Sequence, residues 1–536
     1  VTRTQIAALS TILIVCGFLG PRPAIAQRFN RFDPEDWITL RDFRFVTSVA
    51  VSNEIAYFGT TAGVERFDTL RDRWLAPITT ADGLPHERVT AVVVDPTGGE
   101  LWIGTARGVS RYTEFIGEVE RVFGPPPTFV EELKLDPEAG TVFAWVAGGW
   151  WRARVASPSM ERSPPPPRDA RGSIDVELLD PFDLPWTDPL YVESQTDHFQ
   201  SVRLTELYQD LRGDFYVGTW GDNGRRWGGV RFDWEPLLFG LGGRGGGPIV
   251  ESTDGMWFVP TGPSIARVAA PPPAIAFVDR DGSWSHVVPR SEPGLPTALA
   301  TSAAAAGDTL YLGSEYGLTR YAEGEWKTHG WTADPPIEAV TALHVDGPRL
   351  WVGTSRGLTL WDRKTDRPSA HFLNGRSISA LAVSDDAVFV GTNLGLYVGQ
   401  RDPSGGAGFA PDSFVRTESR GSRIRALALR DTLLVVATGV GLGVFNRSSG
   451  AWRFWAAVEG RLETPPLAVA IDDQQVWIGT DHGLVRWRLK TDEWDMYRPG
   501  DGLAGLPVRH LWAAEDAIWA STPSGVSRFG WRQARR

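Results

Sequence analysis

One cysteine stands in 536 residues, Cys16, and it lies in an N-terminal stretch with the character of an export signal. Beyond that stretch there is no thiol, which excludes disulfides, Cys-based zinc sites and a cysteine nucleophile together. Lysine is almost as scarce, with Lys134, Lys327, Lys364 and Lys490 alone among 54 basic residues. With Ala, Gly and Pro abundant, that ratio reads as the codon bias of a GC-rich bacterial genome. Basic excess is absent too: the formal net charge is -11, which argues against nucleic acid or an anionic membrane as partner. After residue 26 no segment reaches 18 uninterrupted apolar residues, so no spanning helix is expected, and the chain is not read as an integral membrane protein.

The first 26 residues read as a signal peptide. Arg3 supplies a positive start, Ile6 to Leu19 is an apolar run, and Ala24-Ile25-Ala26 before Gln27 is an A-x-A cleavage signature. Cleavage after Ala26 removes Arg3, Arg22 and no acid, taking the formal net charge from -11 to -13. The expected location is therefore periplasmic or secreted.

What the chain has in abundance is one phrase, an aromatic or aliphatic pair, Gly-Thr, two free positions, then Gly. Clear copies read LWIGTARGVSRY from Leu101, LWVGTSRGLTLW from Leu350 and VWIGTDHGLVRW from Val476. The first-Gly slot is filled by Gly59, Gly104, Ala147, Gly218, Val259, Gly313, Gly353, Gly391, Ala437, Gly479 and Ser521. A period of about 42 residues built of short strands is that of a β-propeller blade. The fold class expected is all-β, with about eleven four-stranded blades.

Within a copy, Val340-Thr-Ala-Leu-His-Val345 alternates as an inner strand, Asp346-Gly347-Pro348 turns it, and Leu350 to Thr354 is the second strand. Leu358 to Trp361 forms the third, and a Trp such as Trp326, Trp452 or Trp494 opens the outer one. The slot glycine lets backbones approach where blades taper inward. The second glycine of the phrase ends the hairpin at positive φ.

This grammar resembles the two-component regulator propeller repeat, with consensus roughly V-T-x-I…D-G-x-L-W-I-G-T-x-x-G-L-x-R-Y-D…D-G-L-P, over about residues 37 to 530. The match is strong around Trp102, Trp351 and Trp477 and degraded around Trp145 and Trp257. The resemblance implies the exported ligand-sensing half of a hybrid sensor kinase, or a related stand-alone exported propeller. No Ig-like module, membrane helix or kinase follows the last copy, so signalling is expected to pass through a separate protein, such as a sensor kinase.

Eleven blades exceed the usual four to eight of one ring, which favours two propellers, nested or sequential. The expected units are 27–270, carrying a Pro-rich insertion at 156–197, and 271–536. Trp37 to Leu40 stands in the place of a fourth strand and is expected to close the last blade by pairing near Phe529, removing two open edges.

Signatures of chemistry are missing. The eight His show no metal-ligand spacing, and no H-E-x-x-H, G-x-S-x-G, P-loop or EF-hand pattern occurs. No catalytic residue, metal or cofactor is expected, and the protein is read as a non-enzyme. The enzyme alternative is a resemblance to streptogramin lyases, which are also propellers; there only His482 falls in the mouth-facing turns. The main reading is a binding and sensing module whose T-x-x-G turns line a ring entrance, with Arg107, Tyr316, Arg356, Asn393, Asp481 and His482 as candidate contacts for a polar or carbohydrate-like ligand. A second candidate is the Gly218 copy, where the turn reads as stretched from Trp220 to Gly228. Trp220 and Trp227 flank Asp222, Asn223, Arg225 and Arg226, which offer stacking surface and directional donors. The alternative function is a structural propeller docking another envelope protein.

Overall fold

The computed structural model describes residues 37–531 apart from 96–98, 173, 176–202, 211, 229–232, 262–272, 290, 331–337, 402–406, 412–422, 458–460 and 473. The expected signal peptide and its cleavage position, and most of the Pro-rich insertion, lie outside the described residues. Eleven antiparallel sheets account for the chain, ten of four strands and one of five, with no α-helix among the described residues. Nine of the eleven slot residues lie in the second strand of a sheet, while Ala147 and Val259 fall just past the strands Thr141–Val146 and Gly255–Phe258; the sheets are numbered here as blades 1 to 11 in chain order.

Blade 7 shows the common plan. Strands Val340–Asp346, Arg349–Thr354, Leu358–Asp362 and Arg367–Phe372 follow one another, with Val340 opposite Thr354 and Gly353 opposite Leu358. One residue, Thr341, bulges out of register between Val340 and Ala342. Bulges at the same place follow Val46, Val89, Val130, Ile378 and Ile424. A bulge re-aims the side chain it displaces. Here it turns Thr341 Oγ1 toward Gly353 O in its own blade (3.2 Å) and Ile378 O of the next (2.6 Å). Thr47 does the same toward Gly59 O and Val89 O. This is the physical content of the Val-Thr pairs at Val46-Thr47 and Val340-Thr341.

The slot glycine meets a side chain rather than a backbone. A Cβ on Gly353 would stand 2.6 Å from Ile378 Cγ2, and one on Gly391 2.6 Å from Ile424 Cγ2. Gly59, Gly104 and Gly313 face Val89, Val130 and Val340 in the same way. In each case a β-branched residue at the start of the next blade is seated in the notch. The aromatic two positions before the slot fills the space between sheets: Tyr57, Trp102, Tyr216, Tyr311, Trp351 and Trp477 are buried. Each such side chain contributes roughly 2–3 kcal/mol on burial.

Following the notches shows the architecture. Gly218 of blade 4 receives Val46 of blade 1, and the inner strand of blade 1, Val46–Val51, lies against those of blades 2 and 4. Blade 3 reaches blade 4 through the paired backbones of Leu135 and Arg171. Blades 1 to 4 thus make one closed circuit. The inner strands of blades 5 to 11 make a second, closed where Ile249–Glu251 of blade 5 meets His510–Ala513 of blade 11. Blade 11 takes its outer strand from the other end of the chain: Trp37 pairs with Phe529 and Leu40 with Val526.

The chain passes between circuits twice, at 41–45 and 238–248. The two passages run side by side, Leu241 N donating to Arg41 O at 2.8 Å. Gly255–Phe258 and Ile275–Asp279, before and after the expected boundary at 270/271, pair within blade 5. Glycine is needed at the real passage because backbone packs on backbone there: a Cβ on Gly245 would stand 2.4 Å from Thr522 O, and one on Gly247 2.0 Å from Val259 O. Buried Arg41 joins loops of both circuits, donating to Ala504 O (3.1 Å) and Thr80 Oγ1 (3.3 Å) and pairing with Glu87.

Gly391→Val forces Ile424 out of its notch and is expected to cost about 1–3 kcal/mol, read as a lower thermal midpoint by circular dichroism. Gly500→Ala, with nothing within 4 Å, is expected to change stability by less than about 0.5 kcal/mol. Equal effects of the two would show that the notch does not hold the blades.

Candidate functional site

The T-x-x-G turns are built alike. The Thr hydroxyl donates across the turn to the second glycine's carbonyl, as in Thr105 to Gly108 (2.9 Å), Thr392 to Gly395 (2.8 Å) and Thr480 to Gly483 (2.8 Å). The same oxygen accepts from the turn's backbone, from Arg107 N (3.1 Å) and His482 N (3.1 Å). The slots between stand exposed at Glu315-Tyr316, Ser355-Arg356, Asn393-Leu394 and Asp481-His482, whereas Ala62 of blade 1 is buried. Because the turn lies opposite the start of the inner strand, turns and the loops entering inner strands share one face. Not every second glycine has positive φ: it is +110° at Gly108, whereas Gly441 is enforced by Trp455 O, 2.2 Å from where a Cβ would be.

On the seven-blade circuit this face carries Tyr316, Arg356, Asn393, Asp481 and His482, all exposed. Arg356 pairs with Glu338 at 3.1 Å. His482 Nδ1 stands 3.1 Å from Glu463, which also receives Arg498 at 3.0 Å. Three large apolar side chains share the rim: Leu394 and Val440 occupy turn slots, Leu506 a Gly-Leu-Pro loop, and all are exposed. Sequence reasoning passed over these three and their charged neighbours; their slot positions were the available signal. Arg107 lies apart, on blade 2 of the four-blade circuit.

The stretch from Trp220 to Gly228 is not a nine-residue loop. Asn223, at φ 56°, takes the place of the second glycine, and Gly224–Gly228 is already the third strand, with Gly218 opposite Gly224 and Phe215 opposite Trp227. The turn is one residue longer than its fellows. Asn tolerates the left-handed conformation that ends a hairpin. Gly224 answers a contact instead, since a Cβ there would stand 2.4 Å from the Phe58 ring.

The side chains of this turn meet partners within the chain. Arg225 is buried and paired with Asp222. Arg226 bonds Glu235 and Asp72 (3.0 Å) and lies over the Phe67 ring. Exposed Trp220 meets Phe45 edge-on at 5.2 Å, and Trp227 is half-buried. Gly221 N and Asn223 N both donate to Arg44 O. The turn fastens blade 4 to the first interring passage.

Elsewhere the densest charge lies between blades 6 and 7. Asp366, 13% exposed, accepts from Lys327 (2.7 Å), His329 (3.0 Å) and the Trp361 indole (3.2 Å). Burial alone would raise its carboxyl, but the bonds from His329 and Lys327 hold it below the ordinary aspartate range. His344 and His510 are half-buried on inner strands, and desolvation pushes both imidazoles down, His510 to about 4 with help from Arg509. Among the described residues no three His, Cys, Asp or Glu converge as metal ligands, and no helix is long and apolar enough to cross a membrane.

No protein-family model matches the sequence, and no curated protein matches it. Solved structures do. A surface component of the type-IX secretion system of Porphyromonas gingivalis aligns at TM-score 0.54 and 10% identity over 92% of this chain and 87% of that one. The extracellular domain of a hybrid two-component system protein from B. thetaiotaomicron aligns at TM-score 0.43 and 14% identity, covering 90% and 68%. A streptogramin B lyase covers 55% of this chain and 94% of its own, at TM-score 0.39 and 12% identity. At such identities the likeness is one of fold: the protein is a β-propeller assembly.

Asp366→Asn keeps the side chain's shape and its backbone conformation but removes the charge. Because the native carboxyl is held below its unfolded value of 3.8, its contribution is complete above about pH 4 and lost as pH falls further. The variant should lose about 1–2 kcal/mol at pH 7, and its melting curve should converge on the wild type's in acid. A constant difference from pH 7 to pH 3 would rule this out.

Proposed function

We propose that the protein is an exported propeller module that binds a polar or carbohydrate-like ligand and acts through a separate partner protein. The four-blade unit, 46–237, is taken to be inserted after the first strand of a seven-blade unit, 37–40 with 249–529. The ligand is placed on the T-x-x-G face of the larger unit. The observation that carries this is the rim itself: Tyr316 and Leu394 stand exposed on the face that carries the ion pairs of Arg356 and His482. Apolar surface for stacking next to directional polar groups is what a sugar or small polar ligand requires.

The competing reading, an assembly propeller docking another envelope protein, draws on the same exposed apolar side chains and on the neighbour that is a secretion-system surface component. A lyase is the third reading, and would rest on His482 with Glu463.

A glycan and small-metabolite array separates the three. Ligand binding is expected, weakened roughly ten-fold in Tyr316→Ala/Leu394→Ala, the loss appropriate to two apolar contacts. No array signal, together with a stoichiometric partner recovered from envelope extracts, would support the docking reading instead. Turnover abolished by His482→Ala would establish the lyase.

A further inference from the structure

The second position after the turn glycine is small or neutral in most blades: Ser110, Thr319, Thr359, Tyr397, Gly443, Val485, Ser527. Blade 1 alone has an acid there, Glu65, and it is fully buried. Among the described residues no lysine or arginine forms an ion pair with it. Its one hydrogen bond comes from Asn223 Nδ2, 2.9 Å from Oε1.

Asn223 is equally buried. Its amide nitrogen spends both protons, one on Glu65 and the other on Phe239 O at 3.0 Å. Two buried oxygens of this pair are left without a partner, Glu65 Oε2 and Asn223 Oδ1. Both are acceptors, so they cannot satisfy one another while the carboxyl is ionised. A single proton on Oε2 would make it a donor, the complement that the Asn223 Oδ1 acceptor lacks.

We infer that Glu65 is a neutral carboxylic acid in the folded protein, its Oε2 proton donated to Asn223 Oδ1, forming a two-bond acid–amide clasp that closes the four-blade circuit. Glu65 belongs to blade 1 and Asn223 to blade 4, the first and last of the circuit. The clasp also reaches both interring passages, through Phe239 O and through Arg44 O, which accepts from Asn223 N at 3.2 Å. It therefore ties ring closure to the attachment of one ring to the other.

The charged neighbours do not supply an alternative partner. Asp42 and Arg44 on the first passage pair with each other at 2.8 Å, and Asp222 pairs with Arg225 on the turn. His286 of blade 5 places Nε2 2.9 Å from Gly240 O, and desolvation keeps its imidazole below the ordinary range. Burial holds the Glu65 carboxyl well above the usual carboxylate range; the Asn223 bond opposes this and Asp42 adds to it.

The sign follows. A carboxyl whose folded pKa is raised gives its full stabilisation below its unfolded value, 4.5, and loses it as pH rises toward the folded one. The device is thus closed in acid and loosened in alkali, the reverse of the Asp366 bridge.

Thermal melting of the full chain from pH 5 to pH 10, wild type beside Glu65→Gln, tests it. Glutamine supplies the donor and acceptor without a titrating proton. The wild type should lose melting temperature with rising pH while Glu65→Gln loses less and melts higher at the alkaline end. Parallel pH profiles would overturn the proposal. Infrared spectroscopy reads the proton directly: a protonated-carboxyl stretch is expected in the wild type at neutral pH, absent in Glu65→Gln and shifted in Asn223→Ala. The Asn223→Ala spectrum serves if Glu65→Gln does not fold. A wild-type spectrum with no such band at neutral pH would also overturn it.

Discussion

Seven of the eleven blades are joined to the next by the seating of one β-branched side chain in the notch left by a missing Cβ on the preceding blade. The contact is directional, because a glycine offers the notch at the end of one second strand and a Val or Ile enters it from the start of the next inner strand. The bulged hydroxyl beside it bonds both blades at once. Packing and hydrogen bonding therefore specify the same neighbour, a consistency across levels that favours one arrangement over its competitors. Which blade follows which, and hence how many rings form, is decided notch by notch. Val46 in the notch of Gly218 ends the smaller circuit at four.

The two circuits are joined by an apolar cluster, in which Phe239 packs on Phe43, on Trp74 of blade 1 and on Trp284 of blade 5, and by a few polar commitments. Arg41 reaches loops of both, the two passages share backbone bonds, and the Thr219–Asn223 turn holds a carbonyl of each passage. Buried polar groups of this kind add modest net stability when satisfied and cost much when one partner is lost. They fix one geometry on a junction whose apolar cluster supplies the burial.

Much of the fold was legible in the sequence, because a repeat displays the same physical requirement many times over. Slot glycines, paired aromatics and the Val-Thr opening all recur at blade spacing, and each corresponds to a contact present in several blades. What was illegible happens once. The passage at 238–248 has no second copy, and its glycines resemble any flexible linker until Thr522 O and Val259 O are seen to press on them. In the Gly218 copy, Gly224 looked like a turn glycine although Asn223 ends the turn. Glu65 was the readable exception, the one acid at a position small or neutral in most blades, but its partner lies more than 150 residues away and only the fold brings them together. The candidate rim was partly legible: turn slots could be counted, but not which of them would keep apolar side chains in water.

The strand at Trp37–Leu40 has a consequence for how the molecule comes into being. Thr39 bonds Gly502 across 463 positions of chain, and everything in the smaller circuit lies between the strand and the blade it completes. Blades 1 to 4 have all their contacts available long before the chain has reached Phe529. The strand must therefore stay unpaired while a finished ring hangs behind it, and the larger ring remains open on one side until the last strand arrives. Contacts of such separation form slowly, because their loop entropy is lost before their gain is collected. An unsealed sheet edge of that duration is a template for pairing between molecules. Pairing of Trp37–Leu40 with Val526–Phe529 is therefore the contact expected to form last and most slowly.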